Sequence, residues 1–179
     1  MRTIGPAAAP TVADLDGDGD TDLVVANGRH WPGQNRIFYN NGLGVFTTEQ
    51  PLGTLRATSY AAELADLDND GDLDIAVGND MAPNAIYLND GKGQFTKEPG
   101  FGKAYAPTRN LTLADLDQDG DVDILITNRG MANEICLNAG DGTFPTAIPF
   151  GNRDDSTIDV AVADMNADGA PDLILANRD

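Results

Sequence analysis

One nine-residue pattern, Asp-x-Asp-x-Asp-Gly-x-x-Asp, occurs four times along the chain. It reads DLDGDGDTD from Asp14, DLDNDGDLD from Asp66, DLDQDGDVD from Asp115 and DMNADGAPD from Asp164, so the starts are 52, 49 and 49 residues apart. A period of this length means that each unit is one supersecondary element, which buries its apolar face only by stacking on its neighbours. The material between the patterns repeats too. An apolar run ends in Asn27, Asn79, Asn128 and Asn177, and a second run follows as NRIFYNNGLGVF, NAIYLNDGKGQF and NEICLNAGDGTF. Each second run holds a Gly-x-Gly turn and closes on an aromatic, Phe46, Phe95 or Phe144.

Runs of four to six residues rich in Val, Ile and Tyr, bounded by Gly, Asn and Asp, read as strands. One unit holds about four. The first leads into the Asp pattern, the second follows it, the third carries IFY, IYL or ICL, and the fourth starts at the Phe. No segment keeps a helical period over eleven residues. The chain is therefore expected to be all-β, built of propeller blades of four antiparallel strands. The whole chain, 1–179, reads as a single repeat domain with blades at about 8–55, 56–105 and 106–153 and a half blade at 154–179. Propellers close with about four to eight blades, so three and a half make a partial ring. The expectation is a segment of a longer protein, with homodimerisation through exposed blade edges, which are adhesive.

The carboxylates ask for a cation. With the motif numbered 1 to 9, oxygen-bearing side chains fill positions 1, 3, 5 and 9 in every copy: Asp14, Asp16, Asp18, Asp22; Asp66, Asp68, Asp70, Asp74; Asp115, Asp117, Asp119, Asp123; Asp164, Asn166, Asp168, Asp172. Position 6 is always Gly, where a sharp turn needs a residue without Cβ. Position 7 is Asp20, Asp72 and Asp121 but Ala170 in the fourth copy. If the four loops do one job, position 7 acts through its backbone carbonyl, as it does in known calcium loops. A ring of carboxylate and carbonyl oxygens suits Ca²⁺, whereas zinc would want the His or Cys that these loops lack. About four Ca²⁺ sites are expected. The loops are not EF-hands, because position 12 is Val25, Val77, Ile126 or Leu175, inside an apolar strand. A plain hairpin turn would need one Asp or Asn and a Gly, not four oxygen donors in four copies.

Charge bounds the partners. Lys and Arg total 11 against 29 Asp and Glu, a net charge of −18, and 18 of the 29 acids lie in the four loops. Such a field repels nucleic acid and anionic membranes. No apolar run approaches the roughly 20 residues that span a bilayer, so no membrane insertion is expected. The first ten residues, MRTIGPAAAP, hold no apolar core of a signal peptide. Cys136, the single cysteine, lies in the apolar run EICL and reads as packing.

The motif between two strands, repeated about every 50 residues, resembles the FG-GAP/VCBS repeat family, the calcium-bearing blades of integrin α-subunit-like propellers. Phe101-Gly102 with Ala106-Pro107, and Phe150-Gly151, match the FG and AP elements loosely. The resemblance implies an extracellular or surface module for adhesion or carbohydrate binding, secreted or at the cell surface as part of a larger protein. Some members accompany polysaccharide-degrading enzymes.

Hairpins alternate ends, so the second-to-third and fourth-to-first connections should lie opposite the calcium loops. The first of these, NGRHWPGQN, is three residues longer than its counterparts and carries the only His and Trp, His30 and Trp31. Six of the eleven basic residues, including Arg29, Arg56 and Arg109, fall on the same side. That end could meet a carbohydrate or protein ligand by stacking and ion pairing, or it could simply be solvated loops with Trp31 folded over the blade edge. No catalytic constellation is visible, and the chain is expected not to be an enzyme. The alternatives are the propeller domain of a polysaccharide lyase or other secreted carbohydrate-active enzyme, and a purely structural segment of a larger surface protein.

Overall fold

The computed structural model describes residues 7–28 and 31–178. Thirteen strands follow one another without a helix among the described residues: β1 Ala7–Ala13, β2 Asp22–Asn27, β3 Gly33–Tyr39, β4 Thr48–Ala65, β5 Asp74–Asp80, β6 Ala85–Asn89, β7 Phe95–Glu98, β8 Thr108–Ala114, β9 Asp123–Asn128, β10 Asn133–Leu137, β11 Thr146–Phe150, β12 Ser156–Ala163 and β13 Asp172–Arg178. Every named pair of strands is antiparallel. Three four-stranded blades and a two-stranded half blade, β12-β13, make an open partial ring.

Repetition in sequence becomes repetition in register. Ala13 pairs with Asp22, Ala65 with Asp74, Ala114 with Asp123 and Ala163 with Asp172. Each Asp loop therefore closes the same hairpin, and its ninth residue is the first residue of the second strand. The innermost strands share a second irregularity. Their register slips between Ser59 and Ala61, Thr108 and Asn110, and Thr157 and Asp159. Such a bulge adds local twist to the strand that carries it.

The expected boundary between the first two blades, at 55 and 56, lies inside a strand. β4 runs unbroken through it, pairing with β3 through Thr48–Pro51 and, past a shift in register, at Arg56 and Ala57, and then with β5 through Thr58–Ala65. Buried Leu52 anchors the middle of β4. Beside it Gly53, at φ +62°, passes where a Cβ would strike the Tyr87 ring. The chain thus crosses between blades as one extended segment, and no loop is needed. The fourth strand begins at the aromatic only in the second blade, at Phe95. In the first and third it starts two residues later, at Thr48 and Thr146.

Sheet faces stack to form the core. Val24, Ala26 and Ile37 of the first blade meet Ile75, Val77 and Tyr87 of the second. Ala61, Ala76 and Ile86 on the other face of the second blade meet Leu111, Ile124, Ile126 and Cys136 of the third. Being covered on both faces, β5 and β9 read as continuous apolar runs rather than as alternation. Phe101 and Phe144 pack at 5.9 Å between ring centres, tilted by 52°. Cys136 is buried, as its apolar neighbours led one to expect, and burial pushes its thiol up to about 12. Among the described residues, no helix is long and apolar enough to cross a membrane.

Candidate metal centres

Each Asp loop is folded by hydrogen bonds from its own backbone to its own carboxylates. The position-6 glycine donates N–H to the position-1 carboxylate in all four: Gly19 to Asp14, Gly71 to Asp66, Gly120 to Asp115 and Gly169 to Asp164, at 2.9–3.2 Å. Position 7 donates to the position-5 carboxylate at 2.8–2.9 Å, and Ala170 does so as well as Asp20, Asp72 and Asp121. The glycines sit at φ +88° to +99°, the left-handed conformation that the sharp turn demanded. Position 4 is left-handed as well, at Gly17, Asn69, Gln118 and Ala167. Gly and Asn could have signalled this, but Gln and Ala carry no such preference.

These bonds turn carboxylate oxygens toward one another. Asp14, Asp16 and Asp18 bring one oxygen each within 4.8 Å of the others; so do Asp66, Asp68 and Asp70, and Asp115, Asp117 and Asp123. In the fourth loop Asp168 accepts from Ala170, and its own N–H reaches Asn166 Oδ1 at 2.8 Å, the same scaffold with one charge fewer. The position-3 carboxyls Asp16, Asp68 and Asp117 are held above the usual carboxylate range, first by loss of water and then by neighbouring carboxylates. One atom tests whether a cation fits: Asp66 Oδ1 is buried beside Asp68 and Asp70 and has no hydrogen-bond partner. A buried carboxylate oxygen without a partner is costly, and a hard cation satisfies it. The donors are all oxygen, which suits Ca²⁺ and not zinc.

Position 9 has a second task. Asp22, Asp74 and Asp123 are buried, and each accepts two backbone N–H groups. One comes from motif position 2 (Leu15, Leu67, Leu116) and one from the Asn closing the third strand (Asn40, Asn89, Asn138). Burial lifts Asp74 to about 6 despite these two bonds. Position 7 points elsewhere. A Cβ at Gly42 or Gly140 would lie 2.7 Å from the Asp20 or Asp121 carboxylate, so these side chains rest on the Gly-x-Gly turns.

The loops are tied from blade to blade. Asn89 Nδ2 donates to Leu15 O at 2.9 Å and Asn138 Nδ2 to Leu67 O at 2.8 Å, each reaching the motif of the preceding blade. Asn69 Nδ2 donates to Asp121 Oδ1 at 2.8 Å, and Gln118 Nε2 to Gly169 O. These asparagines were missed as site residues, although an Asn closes all three third-strand runs.

At the opposite end, Arg29 and His30 lie outside the described residues. Trp31 is 76% exposed and Arg56 is exposed. Arg109 is engaged within the protein. Its guanidinium lies 4.1 Å over the Tyr60 ring, and Nη1 stands 3.4 Å from Asp80 Oδ2. It links the third blade to the second, so Trp31 and Arg56 are the candidates left facing solvent.

Several solved structures share this architecture. An Agrocybe aegerita lectin, described for recognition of non-reducing terminal N-acetylglucosamine, superposes with a TM-score of 0.60 at 26% identity over 92% of this chain and 45% of its own. BBS1N in complex with ARL6DN gives 0.62 at 17% over 97% and 52%. The V. cholerae biofilm matrix protein Bap1 gives 0.55 at 21% over 94% and 28%. The chain thus spans about half the length of the first two and about a quarter of the third. No curated protein matches it in sequence. The model of the FG-GAP-like repeat matches three overlapping stretches, residues 14–77, 66–126 and 115–175, each running from one Asp loop through the next. With three such loops closing the inner hairpins of stacked four-stranded blades and a fourth closing the β12-β13 half blade, the chain belongs to the FG-GAP-like repeat family.

Proposed function

We propose that this chain is a calcium-stabilised propeller module that binds a ligand rather than transforming one. The observation that carries the calcium reading is the buried, unpartnered Asp66 Oδ1 inside a cluster of carboxylates. Positions 1, 3, 5 and 9 would hold the ion, with the carbonyl of position 7. Bound Ca²⁺ supplies positive charge where like charges otherwise face one another. The protein's own residues do the rest: position-6 and position-7 N–H groups orient the carboxylates, and position 9 fastens the loop to the third strand. Ca²⁺ sites of extracellular modules have Kd values of about 10⁻⁴ to 10⁻³ M, which fits a secreted or cell-surface setting. Calorimetric titration of the metal-free protein should resolve about four Ca²⁺ per chain; no binding heat together with an unmoved melting temperature would remove the reading.

The ligand end is proposed to be the one opposite the loops, with exposed Trp31 and Arg56 meeting a carbohydrate or a protein. The likeness to a lectin favours carbohydrate. A glycan array probed with the protein and with Trp31→Ala tests this. Retention on a defined set of glycans that the variant loses supports it, and identical patterns for the two proteins count against it. Incubation with acidic polysaccharides should yield no unsaturated product, and turnover would favour the lyase alternative.

A further inference from the structure

Two asparagines stand directly before a glycine: Asn27 before Gly28 and Asn41 before Gly42. In such a pair the glycine's backbone nitrogen can reach the side-chain carbon of the asparagine, because no Cβ stands in the way. Asparagine is a thermolabile residue, and this is its most open setting.

The fold treats the two pairs differently. Asn27 is buried at the end of β2 and held at two points. Its N–H goes to Asn35 Oδ1 and its Nδ2 to Gln34 O, each at 2.8 Å. Gly28 is packed so closely that a Cβ would lie 2.5 Å from Ala57 O. Reaction there requires the strand end to open. Asn41 is exposed in the turn between β3 and β4. Its Oδ1 accepts Leu43 N–H at 3.1 Å, which closes a ring of atoms that contains Gly42 N. The same bond draws electrons from the side-chain carbonyl carbon. The exposure belongs to the turn position itself, because Asp90 and Ala139 take the same place in the second and third blades and are exposed too. Gly42 sits at φ +75°, and a Cβ there would lie 2.7 Å from Asp20 Oδ2. The turn therefore requires glycine at the very position that makes Asn41 reactive.

We propose that Asn41 is a self-modification site. Gly42 N gives its proton to water and attacks Asn41 Cγ. The new C–N bond forms, the Cγ–Nδ2 bond breaks, and ammonia leaves, taking a proton from water. A second water then opens the cyclic imide. Opening at Cγ leaves an aspartate in the ordinary main chain. Opening at the main-chain carbonyl leaves an isoaspartate, with one methylene more in the backbone. Water is the sole co-reactant. The two products differ in consequence. Asp90 shows that an aspartate suits this turn, since its Oδ1 accepts Lys92 and Gln94 N–H at 3.0 and 3.1 Å. The isoaspartate displaces Gly42, on which Asp20 rests, and Asp20 N–H holds the Asp18 carboxylate of the first loop. Modification at Asn41 thus reaches the first Asp loop through its seventh residue.

The test incubates the native 179-residue protein and maps its peptides by mass spectrometry, with fragmentation to place each change. Asn41 should gain about 1 Da as amide becomes acid. Asn27 should react at least about tenfold more slowly, the factor set by its two held bonds. In urea the two should react at comparable rates. Asn41→Asp should melt within about 2 °C of the parent, and the isoaspartate form, separated by ion exchange, should melt lower than Asn41→Asp. A native Asn41 that reacts no faster than Asn27, or an isoaspartate form that melts together with Asn41→Asp, would overturn the proposal.

Discussion

Asn138 shows how one side chain joins two repeats. Its N–H goes to Asp123, its Nδ2 to Leu67 O of the preceding blade and to Val122 O, and its Oδ1 receives Gly140 N–H. Asn138→Ala leaves the Leu67 carbonyl without this donor in a buried setting, which should cost about 1–3 kcal/mol in urea unfolding. Asn40 holds the same place in the first blade, but its Nδ2 reaches only Thr21 O of its own hairpin, at the surface. Asn40→Ala should cost less than about 1 kcal/mol, and equal losses would show that the reach between blades does not matter. Cys136 gives a residue-scale prediction of another kind. Its thiol ionises near 9 when exposed but is pushed up to about 12 by burial first and by Glu134 second. The folded protein keeps the proton where the unfolded chain loses it, so stability should fall as the pH rises above about 9, the window set by those two values. At neutral pH the thiol should resist a disulfide reagent until denaturant is added. Rapid labelling of the native protein would contradict its burial.

The Asp loop is the element in which sequence and structure agree most closely. Four aligned copies picked out positions 1, 3, 5 and 9 as candidate ligands and position 6 as the turn; the structure gathers positions 1, 3 and 5 in the first two loops and 1, 3 and 9 in the third, and puts all four position-6 glycines at positive φ. The copy with Ala170 marked position 7 as a backbone donor. In the structure the position-7 carboxylates rest on the Gly-x-Gly turns of the same blades, a contact made in space that spacing along the chain does not reveal. The left-handed position 4 was hidden because tertiary contacts, such as Gln118 with Gly169, hold residues with no preference for that conformation. The unbroken passage of β4 was hidden for a similar reason: Thr54 to Ala57 looks like a connector, but Arg56 and Ala57 pair with Gln34 and Gly33 of β3, and β5 takes over at Thr58. The loop geometry separates two aspartates that composition treats alike. Asp72→Ala should change calcium affinity at the second loop by less than about twofold, while Asp68→Ala, which removes a carboxylate from the cluster, should weaken it more than about tenfold. Terbium luminescence titration of the two variants reads the difference directly, and a larger loss for Asp72→Ala would reverse the roles of positions 3 and 7.

At the scale of the molecule, the loops decide whether the net charge of −18 is tolerable. Four calcium ions would bring it to −10, and in the first three loops carboxylate oxygens lie within 4.8 Å of one another. That spacing is shorter than the Debye length of about 8 Å at physiological ionic strength, so monovalent salt screens the loops poorly from outside. A site held at tenfold above its Kd stabilises the fold by about 1.4 kcal/mol, and four sites by roughly 5–6 kcal/mol. For a chain of this size each kcal/mol moves the melting temperature by about 2–4 °C, so removing calcium with EDTA should lower it by roughly 10–20 °C. Sodium chloride at matched ionic strength should recover only a small part of the loss, and magnesium little more, because it prefers a stricter octahedron with more water. The three additions distinguish two physical causes. Recovery confined to calcium points to ions seated among the aspartates. Full recovery with sodium chloride would mean that the loops answer to screening alone, and the motif would then be an acidic turn rather than a metal site.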